Sequence, residues 1–303
     1  MTKHLLKIAD LSKADIIELL NLADQLKYEQ KHGIEHHHLK GKTLGMIFQK
    51  ASTRTRVSFE TGMYQLGGSA QFLSSRDLQI GRGEPIQDTA RVLSRYLDGI
   101  MIRTYAQKEV EDLAEYGSIP IINGLTDYCH PCQILADLMT IREYKGSFDG
   151  LKFCYIGDGN NMANSHIVGA LTVGMKVAIA CPKGYEPHPD VLKFAENYPG
   201  MFEMSDDVLA MAAGADVVAT DVWASMGQEG EAEERRKAFE GFQVNDAVMA
   251  AANEGAIVLH CLPAHREEEI TEKVFEEHAD EIFDEAENRL HAQKAVLVKL
   301  MEN

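Results

Sequence analysis

Ten residues, 51–60, place hydroxyl and guanidinium side chains directly after an apolar run, Thr43–Phe48. A strand that enters a helix through a hydroxyl-rich turn forms an anion site, because backbone N–H groups at a helix start are unpaired and the helix dipole favours negative charge there. Ser52 is a good N-cap residue, which places Thr53–Thr55 in the first helical turn. The stretch therefore predicts a phosphate site at the start of a helix.

The two arginines of this stretch cannot serve one ligand together. Arg54 and Arg56 lie two residues apart, so they point in different directions from a helix. We expect Arg54, in the first turn, to join the hydroxyl groups on a bound phosphate. The alternative is a capped surface helix with two solvated arginines, and the choice between them depends on the rest of the chain.

A histidine and a glutamine follow at the start of another predicted helix. His130 and Gln133 are three residues apart with Pro131 between them at the helix start, so both side chains can face one ligand. An imidazole N–H and an amide suit a group that has one carbonyl oxygen and one NH₂. The alternatives are a structural histidine, or a redox or zinc role for the C-x-x-C of Cys129 and Cys132. That C-x-x-C lies outside a small redox-type domain and has no second pair of metal ligands nearby.

Apolar runs alternate with helical patterns along the first half of the chain. This alternation predicts β-α-β units and a parallel sheet covered on both faces by helices. The predicted strands are Thr43–Phe48, Ala70–Leu73, Gly99–Arg103 and Ile119–Asn123. The predicted helices are Ser52–Leu66, Ile86–Leu97, Lys108–Tyr116 and Pro131–Tyr144.

A second alternating series follows a polar joint at residues 145–150. Its predicted strands are Leu151–Ile156, Lys176–Cys181, Asp216–Thr220 and Ala256–His260, and a final helix is predicted over Glu285–Leu300. The chain is therefore predicted to be α/β, with two domains that are each a parallel sheet flanked by helices.

Polar side chains follow the strands of both series at the point where each strand ends. They include Arg103 and His130 in the first series, and Asn161, Asp221 and Cys261 in the second. Ligands of open parallel sheets bind beyond the carboxyl ends of the strands. We therefore expect one active site in a cleft between the two sheets.

The polar residues of the second series suit an amino acid. Such a ligand needs an anion for its α-ammonium group and amides for its α-carboxylate, and Asp221 and Asn161 can divide these tasks. Residues 157–163 superficially resemble a dinucleotide loop, but an alanine replaces the third glycine and no acidic residue ends the next strand. NAD binding is not expected, and Trp223 is expected to pack rather than to stack on a ligand.

The amino-acid composition limits which binding partners and which cellular compartment we expect. The 303 residues carry a formal charge of −17, which argues against nucleic acid and anionic membranes as partners. The five cysteines are an odd number, and no signal peptide or apolar stretch of about 18 residues is present, so a cytoplasmic location is expected. The histidines at 36–38 are interpreted as part of a polar loop, with adventitious metal binding as the alternative.

Four ordered motifs resemble the aspartate/ornithine carbamoyltransferase family, and the last two resemble its ornithine-specific branch. They are Ser52-Thr53-Arg54-Thr55-Arg56, His130-Pro131-Cys132-Gln133, Asp221-Val222-Trp223-Ala224-Ser225-Met226-Gly227 and His260-Cys261-Leu262-Pro263. Residues 81–85 lack the lysine that the aspartate-specific branch has there, which weakens an aspartate assignment. The resemblance extends over essentially the whole chain.

The resemblance implies transfer of the carbamoyl group of carbamoyl phosphate to the δ-amine of L-ornithine, which gives citrulline and phosphate without a cofactor or metal. It implies carbamoyl-phosphate binding by Ser52, Thr53, Arg54, Thr55, Gln79, Arg103, His130, Gln133, Leu262 and Arg289. It implies ornithine binding by Asn161, Asp221, Ser225 and Met226, and catalytic roles for Arg103, His130 and Cys261.

The resemblance also implies how the chain is organised. The last helix would pack back on the first domain, which gives a carbamoyl-phosphate domain of residues 1–146 plus 287–303 and an ornithine domain of residues 147–286. Gln79 would reach the phosphate of a neighbouring subunit, which implies a homotrimer or a multiple of one. The small-molecule substrates are then the expected partners, with a role in arginine metabolism.

Three alternatives remain at the level of sequence. Putrescine has no α-carboxylate or α-ammonium group and would not need Asp221 and Asn161. N-acetylornithine would leave Asp221 without its ammonium partner. A protein of the same fold without catalytic activity could instead bind a phosphorylated ligand as a sensor.

Overall fold

The computed structural model describes residues 3–224 and 229–302, which fall into two compact units. The first unit consists of Met1–Met139 and Asn288–Asn303, and the second of Thr140–Glu287. The chain thus leaves the first unit once and returns to it only for its last sixteen residues.

The first unit is built on a four-stranded parallel sheet with the order β2-β1-β3-β4. Its strands are β1 (Thr43–Phe48), β2 (Ser69–Ser74), β3 (Gly99–Arg103) and β4 (Ile121–Leu125). Its helices are α1 (Lys13–Lys31), α2 (Thr53–Gln65), α3 (Ile86–Leu93) and α4 (Gln107–Tyr116), and α5 (Pro131–Lys145) begins in it.

The second unit is built on a five-stranded parallel sheet with the order β7-β6-β5-β8-β9. Its strands are β5 (Lys152–Ile156), β6 (Lys176–Ala180), β7 (Phe202–Ser205), β8 (Val217–Thr220) and β9 (Ile257–His260). Its helices are α6 (Asn161–Val173), α7 (Pro189–Ala195), α8 (Val208–Ala212), α9 (Ala232–Ala238), α10 (Asp246–Ala251) and α11 (Glu272–Glu277). The last helix, α12 (Ala279–Met301), begins in this unit and ends in the first.

The two parallel sheets, each flanked by helices, confirm the predicted fold class. The central strands β1 and β3 are buried along almost their whole length, as continuous Ile, Leu and Met runs predict. Ile47, Ile100 and Ile121 pack in one apolar core with side chains from α3 and α4. Parallel pairing then brings the carboxyl ends of the strands within each unit to one edge.

Three predicted elements differ from the structure by two or more residues at an end, and one strand was missed. Strand β4 begins after Pro120, since proline has no N–H for the ladder. Helix α3 ends at Leu93, where the chain tightens into i→i+3 hydrogen bonds. Helix α12 begins at Ala279, six residues early, with acidic residues in its first turn that favour a helix start. The missed strand, β7, is a four-residue edge strand with two exposed side chains.

Two serine side chains cap helices of the first unit. Ser52 and Ser12 both act as N-caps, and the Ser12 side chain forms a reciprocal capping box with Asp15. Within the described residues, no helix combines the length and apolarity needed to span a lipid bilayer.

The histidines at 36–38 contact three separate partners. The buried His36 lies with Nε2 2.8 Å from Lys294 Nζ, whereas the Nδ1 atoms of His37 and His38 face the carboxylates of Glu35 and Glu302. Burial lowers the pKa of Lys294 to about 8, so the group is still mostly protonated at pH 7 and can donate to His36 Nε2. The tract is therefore a polar loop tethered to α12, as interpreted from the sequence.

Gly159 allows the turn after β5 to touch the backbone of residues 185–187. A Cβ atom at Gly159 would lie closer than 3.0 Å to that backbone, a separation that real Cβ atoms essentially never show. We expect Gly159→Ala to lower the free energy of unfolding by about 1–3 kcal/mol or more, because backbone atoms cannot move aside cheaply. Gly230→Ala, which adds a Cβ with nothing within 4 Å, is the control. Denaturant unfolding measures both variants, and equal stability of the two would contradict the close approach.

Candidate active site

The start of α2 has the geometry of an anion site. Ser52 Oγ accepts a hydrogen bond from the Thr55 N–H at 3.2 Å and lies 3.1 Å from Thr55 Oγ1. Thr53 is exposed, whereas Thr55 is buried. The N-cap role predicted for Ser52 is confirmed, and the first turn carries no acidic residue that would repel an anion.

Arg56 is turned to the flank of α2. Its Nε atom lies 3.1 Å from Glu60 Oε1, and its guanidinium stacks 3.9 Å from the ring centroid of Phe72. Arg54 lies one residue before the buried Thr55, in the first turn of the helix. The two arginines thus differ in surroundings, as their spacing predicts.

Arg289 joins the start of α2 to the start of α5. Its Nη1 atom donates to Gln133 Oε1 at 2.6 Å, and its Nη2 atom donates to Thr55 Oγ1 at 3.2 Å. Gln293 Oε1 accepts from the same guanidinium, and Gln293 Nε2 donates to Ser58 Oγ at 2.6 Å. All of these groups belong to the first unit, so three of the residues selected from sequence, Thr55, Gln133 and Arg289, lie in one hydrogen-bonded network.

Strand register places Arg103 between two functional turns. Arg103 is paired with Phe48 at the end of β1 and with Leu125 at the end of β4. Its carbonyl oxygen accepts from the backbone N–H groups of Gln49 and Lys50, directly before the Ser52 turn. Arg103 is buried, and its pairing with Phe48 places it at the same sheet edge as the start of α2.

The turn that carries His130 is fixed from both sides. Thr126 Oγ1 accepts from the Cys129 N–H at 3.2 Å, and it donates to Gln107 Oε1 at 2.8 Å. Lys50, buried before the Ser52 turn, forms an ion pair with Asp127. His130 itself is buried, and its carbonyl oxygen accepts from the Gln133 N–H in the first turn of α5.

Gln79 stands apart from these residues. It begins a 3₁₀ turn, Gln79–Arg82, and its own side chain is exposed. No contact joins it to Thr55, Gln133 or Arg289 among the described hydrogen bonds, so its role stays a prediction.

In the second unit, Asp221 follows β8 and is held by three neighbours. Its Oδ2 atom accepts from Asn160 Nδ2 at 3.0 Å, and its Oδ1 atom accepts from the Val222 N–H at 2.8 Å and lies 3.2 Å from Cys261 Sγ. Asp221 is buried, and α9 begins well beyond it, so it does not cap that helix. Two residues selected from sequence, Asp221 and Cys261, are thus in contact.

Asn160, which lies beside the predicted ligand Asn161, caps a helix and contacts Asp221. Its Oδ1 atom caps α6 by accepting from the N–H groups of Met162 and Ala163, while its amide nitrogen reaches Asp221. The N-cap position after β5 was the available signal. Asn161 lies in the first turn of α6 and is buried.

A buried ion pair sits behind this turn. Arg235 Nη1 donates to Asp158 Oδ2 at 2.8 Å and to the Trp223 carbonyl oxygen at 2.9 Å. Burial raises the pKa of Asp158, and the guanidinium of Arg235 opposes that rise. Trp223 stacks on Phe239 in the apolar core, which confirms its packing role.

The turn after β9 is organised by a buried histidine and glutamate. His260 Nδ1 accepts from the Leu262 N–H at 2.9 Å, so its proton lies on Nε2, 2.9 Å from Glu269 Oε1. Glu269 Oε1 also accepts from the His265 N–H. Leu262 is held at φ 58°, a left-handed conformation that costs energy in a residue with a side chain. His260 and Glu269 therefore fix the backbone on which Cys261 and Leu262 lie.

Among the described residues, one cluster has the spacing of a cation site. His265, Glu268 and Glu269 bring ligating atoms within 4.8 Å of one another. Glu268 is already paired with Arg236, and Glu269 is bonded to His260.

The other two predicted ornithine ligands, Ser225 and Met226, lie outside the described residues.

The cysteines do not form a redox pair. Cys129 and Cys132 are both free and buried, and burial raises the pKa of each thiol to about 12. Cys132 Sγ donates to the Asn123 carbonyl oxygen at 3.5 Å. A thiol held neutral in this way is unreactive, so the redox alternative for the C-x-x-C is not supported.

Two family models cover the chain. Residues 3–143 match the carbamoyl-P binding domain of aspartate/ornithine carbamoyltransferase, and residues 149–300 match its Asp/Orn binding domain. The resemblance inferred from the four motifs is confirmed by these matches.

Named relatives agree with the family models. An ornithine carbamoyltransferase of Pelobacter propionicus is 56% identical over 302 residues, which cover 99% of each chain. The structure of an ornithine carbamoyltransferase from Pyrococcus furiosus has a TM-score of 0.93 and 52% identity, covering 98% of this chain and 96% of that one. An anabolic ornithine carbamoyltransferase from Campylobacter jejuni has a TM-score of 0.93 and 44% identity over 99% of both chains.

The thiols should differ sharply in reactivity. Burial raises the pKa of Cys129, Cys132, Cys154 and Cys181 to about 12, whereas Cys261 is only half-buried. We expect iodoacetamide at about pH 8 to label Cys261 first, because alkylation requires an accessible thiolate. Peptide mass mapping gives the site, and Cys261→Ala is the control that removes the fast phase. Fast labelling of Cys129 or Cys132 would contradict their burial.

Proposed function

The chain belongs to the aspartate/ornithine carbamoyltransferase family, and we propose that it transfers the carbamoyl group of carbamoyl phosphate to the δ-amine of L-ornithine. The products are L-citrulline and phosphate. The structural observation that carries this proposal is the buried bonding of Arg289 to Thr55 and Gln133, which joins an anion-binding helix start to an amide-presenting one.

Carbamoyl phosphate is assigned to the first unit. The phosphate would lie on the N–H groups and hydroxyls of residues 52–55, with Arg54 adding positive charge. Arg103 would bridge the phosphate and the carbonyl oxygen, and His130 would polarise that oxygen together with Thr55. Donors fixed before the reaction stabilise the charge that develops on the tetrahedral intermediate, typically by several kcal/mol.

The carbamoyl NH₂ needs acceptors. Gln133 Oε1 faces the guanidinium of Arg289 and has a second lone pair for an N–H of the substrate. The carbonyl oxygen of Leu262 is the second proposed acceptor, and the His260–Glu269 pair holds its turn in place. These donors and acceptors stabilise charge directly, so the proposal invokes no cofactor or metal.

L-Ornithine is assigned to the second unit. Asp221 would accept from the α-ammonium group, and Asn161 would donate to the α-carboxylate, with Ser225 and Met226 completing the site. The δ-amine must lose its proton before it attacks, and a free alkyl ammonium group has a pKa of about 10. The reactive fraction of the amine therefore increases with pH, and Cys261 and Asp221, which touch each other, are the candidates for receiving the proton.

The proposal extends to the cellular location of the chain and to its subunit assembly. We assign the chain to the cytoplasm and to arginine metabolism as part of amino-acid biosynthesis. A homotrimer would let the exposed Gln79 reach the phosphate of a neighbouring subunit.

The choice of acceptor tests the proposal directly. We expect citrulline from ornithine, and at least about 100-fold lower kcat/KM with putrescine or N-acetylornithine, because neither presents the α-ammonium group that would satisfy the buried Asp221. A colorimetric ureido assay with each amine measures this. Absence of a ureido product from ornithine would overturn the function, and product from putrescine alone would change the acceptor.

The two arginines of α2 give a matched pair of variants. We expect Arg54→Ala to lower kcat/KM for carbamoyl phosphate by about 100-fold or more, because a desolvated charge contact to the phosphate is lost. Arg56→Ala should lower kcat/KM for carbamoyl phosphate by less than about tenfold, since the Arg56 guanidinium pairs with Glu60 at an exposed site. Circular dichroism checks that both variants fold. Similar activity of the two variants would mean that the phosphate lies elsewhere.

A further inference from the structure

The side-chain amide of Gln133 lies between one partner that can only donate hydrogen bonds and one that can only accept them. Its Oε1 atom accepts from Arg289 Nη1 at 2.6 Å, and its Nε2 atom donates to Asp137 Oδ1 at 2.8 Å. A guanidinium can only donate hydrogen bonds, and a carboxylate can only accept them. Amide orientation is often ambiguous, but here the chemistry of both partners requires the oxygen to face Arg289.

The arrangement is buried, so water cannot replace a lost partner. Asp137 is 0% exposed, Gln133 1% and Arg289 4%. A reversed amide would place its NH₂ donor against the donating guanidinium of Arg289 and its oxygen against the accepting carboxylate of Asp137. Each of these buried charged groups would then lose a hydrogen bond. Gln293 Oε1 also accepts from Arg289, so the guanidinium itself is held in one orientation. The oxygen of Gln133 is thus presented towards the start of α2, where Thr55 accepts from the same guanidinium.

We infer that Asp137 is a positioning residue that makes the site select an acyl phosphate whose acyl group carries an N–H donor. This inference rests on the proposed function and extends it. Asp137 accepts from the amide nitrogen of Gln133, and Arg289 Nη1 donates to one of the two lone pairs of Oε1. We assign the carbamoyl NH₂ to the other lone pair. Acetyl phosphate has the same shape with a methyl group in place of the NH₂. It cannot donate, and it would leave the buried oxygen of Gln133 facing a methyl group.

The test compares the two acyl phosphates in the full-length enzyme. Asp137→Asn keeps the shape but can turn either an oxygen or an NH₂ towards Gln133, so it removes the charge that fixes the amide. We expect it to lower kcat/KM for carbamoyl phosphate by about tenfold or more, with a change of less than about twofold in the inhibition constant of acetyl phosphate. Inhibition by inorganic phosphate should also stay within about twofold, because the start of α2 is untouched.

A double-mutant cycle separates positioning from general damage. Gln133→Met removes the acceptor itself, and Asp137→Asn should then cause little further loss with carbamoyl phosphate, since its effect passes through Gln133. A parallel loss for carbamoyl phosphate, acetyl phosphate and phosphate, or additive effects of the two substitutions, would overturn the inference. Unchanged discrimination in Asp137→Asn would also overturn it, because Arg289 alone would then orient the amide.

The wild-type enzyme supplies a measurement that does not depend on a variant folding. If it binds acetyl phosphate as tightly as carbamoyl phosphate, no selection for an N–H donor exists and the inference is wrong. If it forms no citrulline from carbamoyl phosphate and ornithine, the proposed function itself fails. Citrulline formation with unaltered selectivity in Asp137→Asn refutes only the role of Asp137.

Discussion

The buried guanidinium of Arg289 is the constraint on which the first unit depends. A guanidinium out of contact with water must have its N–H groups bonded, so the groups around it must present oxygens. Thr55, Gln133 and Gln293 do so, and they come from α2, α5 and α12. The return of the last helix to the first unit therefore completes this hydrogen-bonded network.

The second unit also has a buried charged side chain held by its neighbours, but this charge is negative. Asp221 is buried at the end of β8 and is held by Asn160 and Cys261. The Asp158 carboxylate nearby forms an ion pair with Arg235, whereas Asp221 is bonded to the neutral groups of Asn160, Val222 and Cys261. Both units thus surround a buried charged side chain, Arg289 or Asp221, with neutral hydrogen-bond partners.

The sequence predicted the elements that carry residues 52–55 and 130–133, because continuous apolar strands and capping residues are local signals. The bounds of β1 and β3 were predicted to the residue. Partners distant in sequence could not be found in this way, since Asn160 reaches Asp221 across 61 positions. The burial of Asp137 and its contact with Gln133 are likewise set by packing and carry no signal in the sequence. The edge strand β7 lacks the burial that makes a strand visible in sequence.

The central claim is that carbamoyl phosphate lies between the first turn of α2 and the amide of Gln133. A crystal structure with a bisubstrate analogue, a phosphonoacetyl group joined to the δ-amine of ornithine, tests this most directly. The account predicts phosphonate oxygens within hydrogen-bond distance of the N–H groups of residues 53–55, with the ornithine ammonium group on Asp221. A phosphonate bound away from α2, with Gln133 and Arg289 out of contact with the analogue, would contradict it.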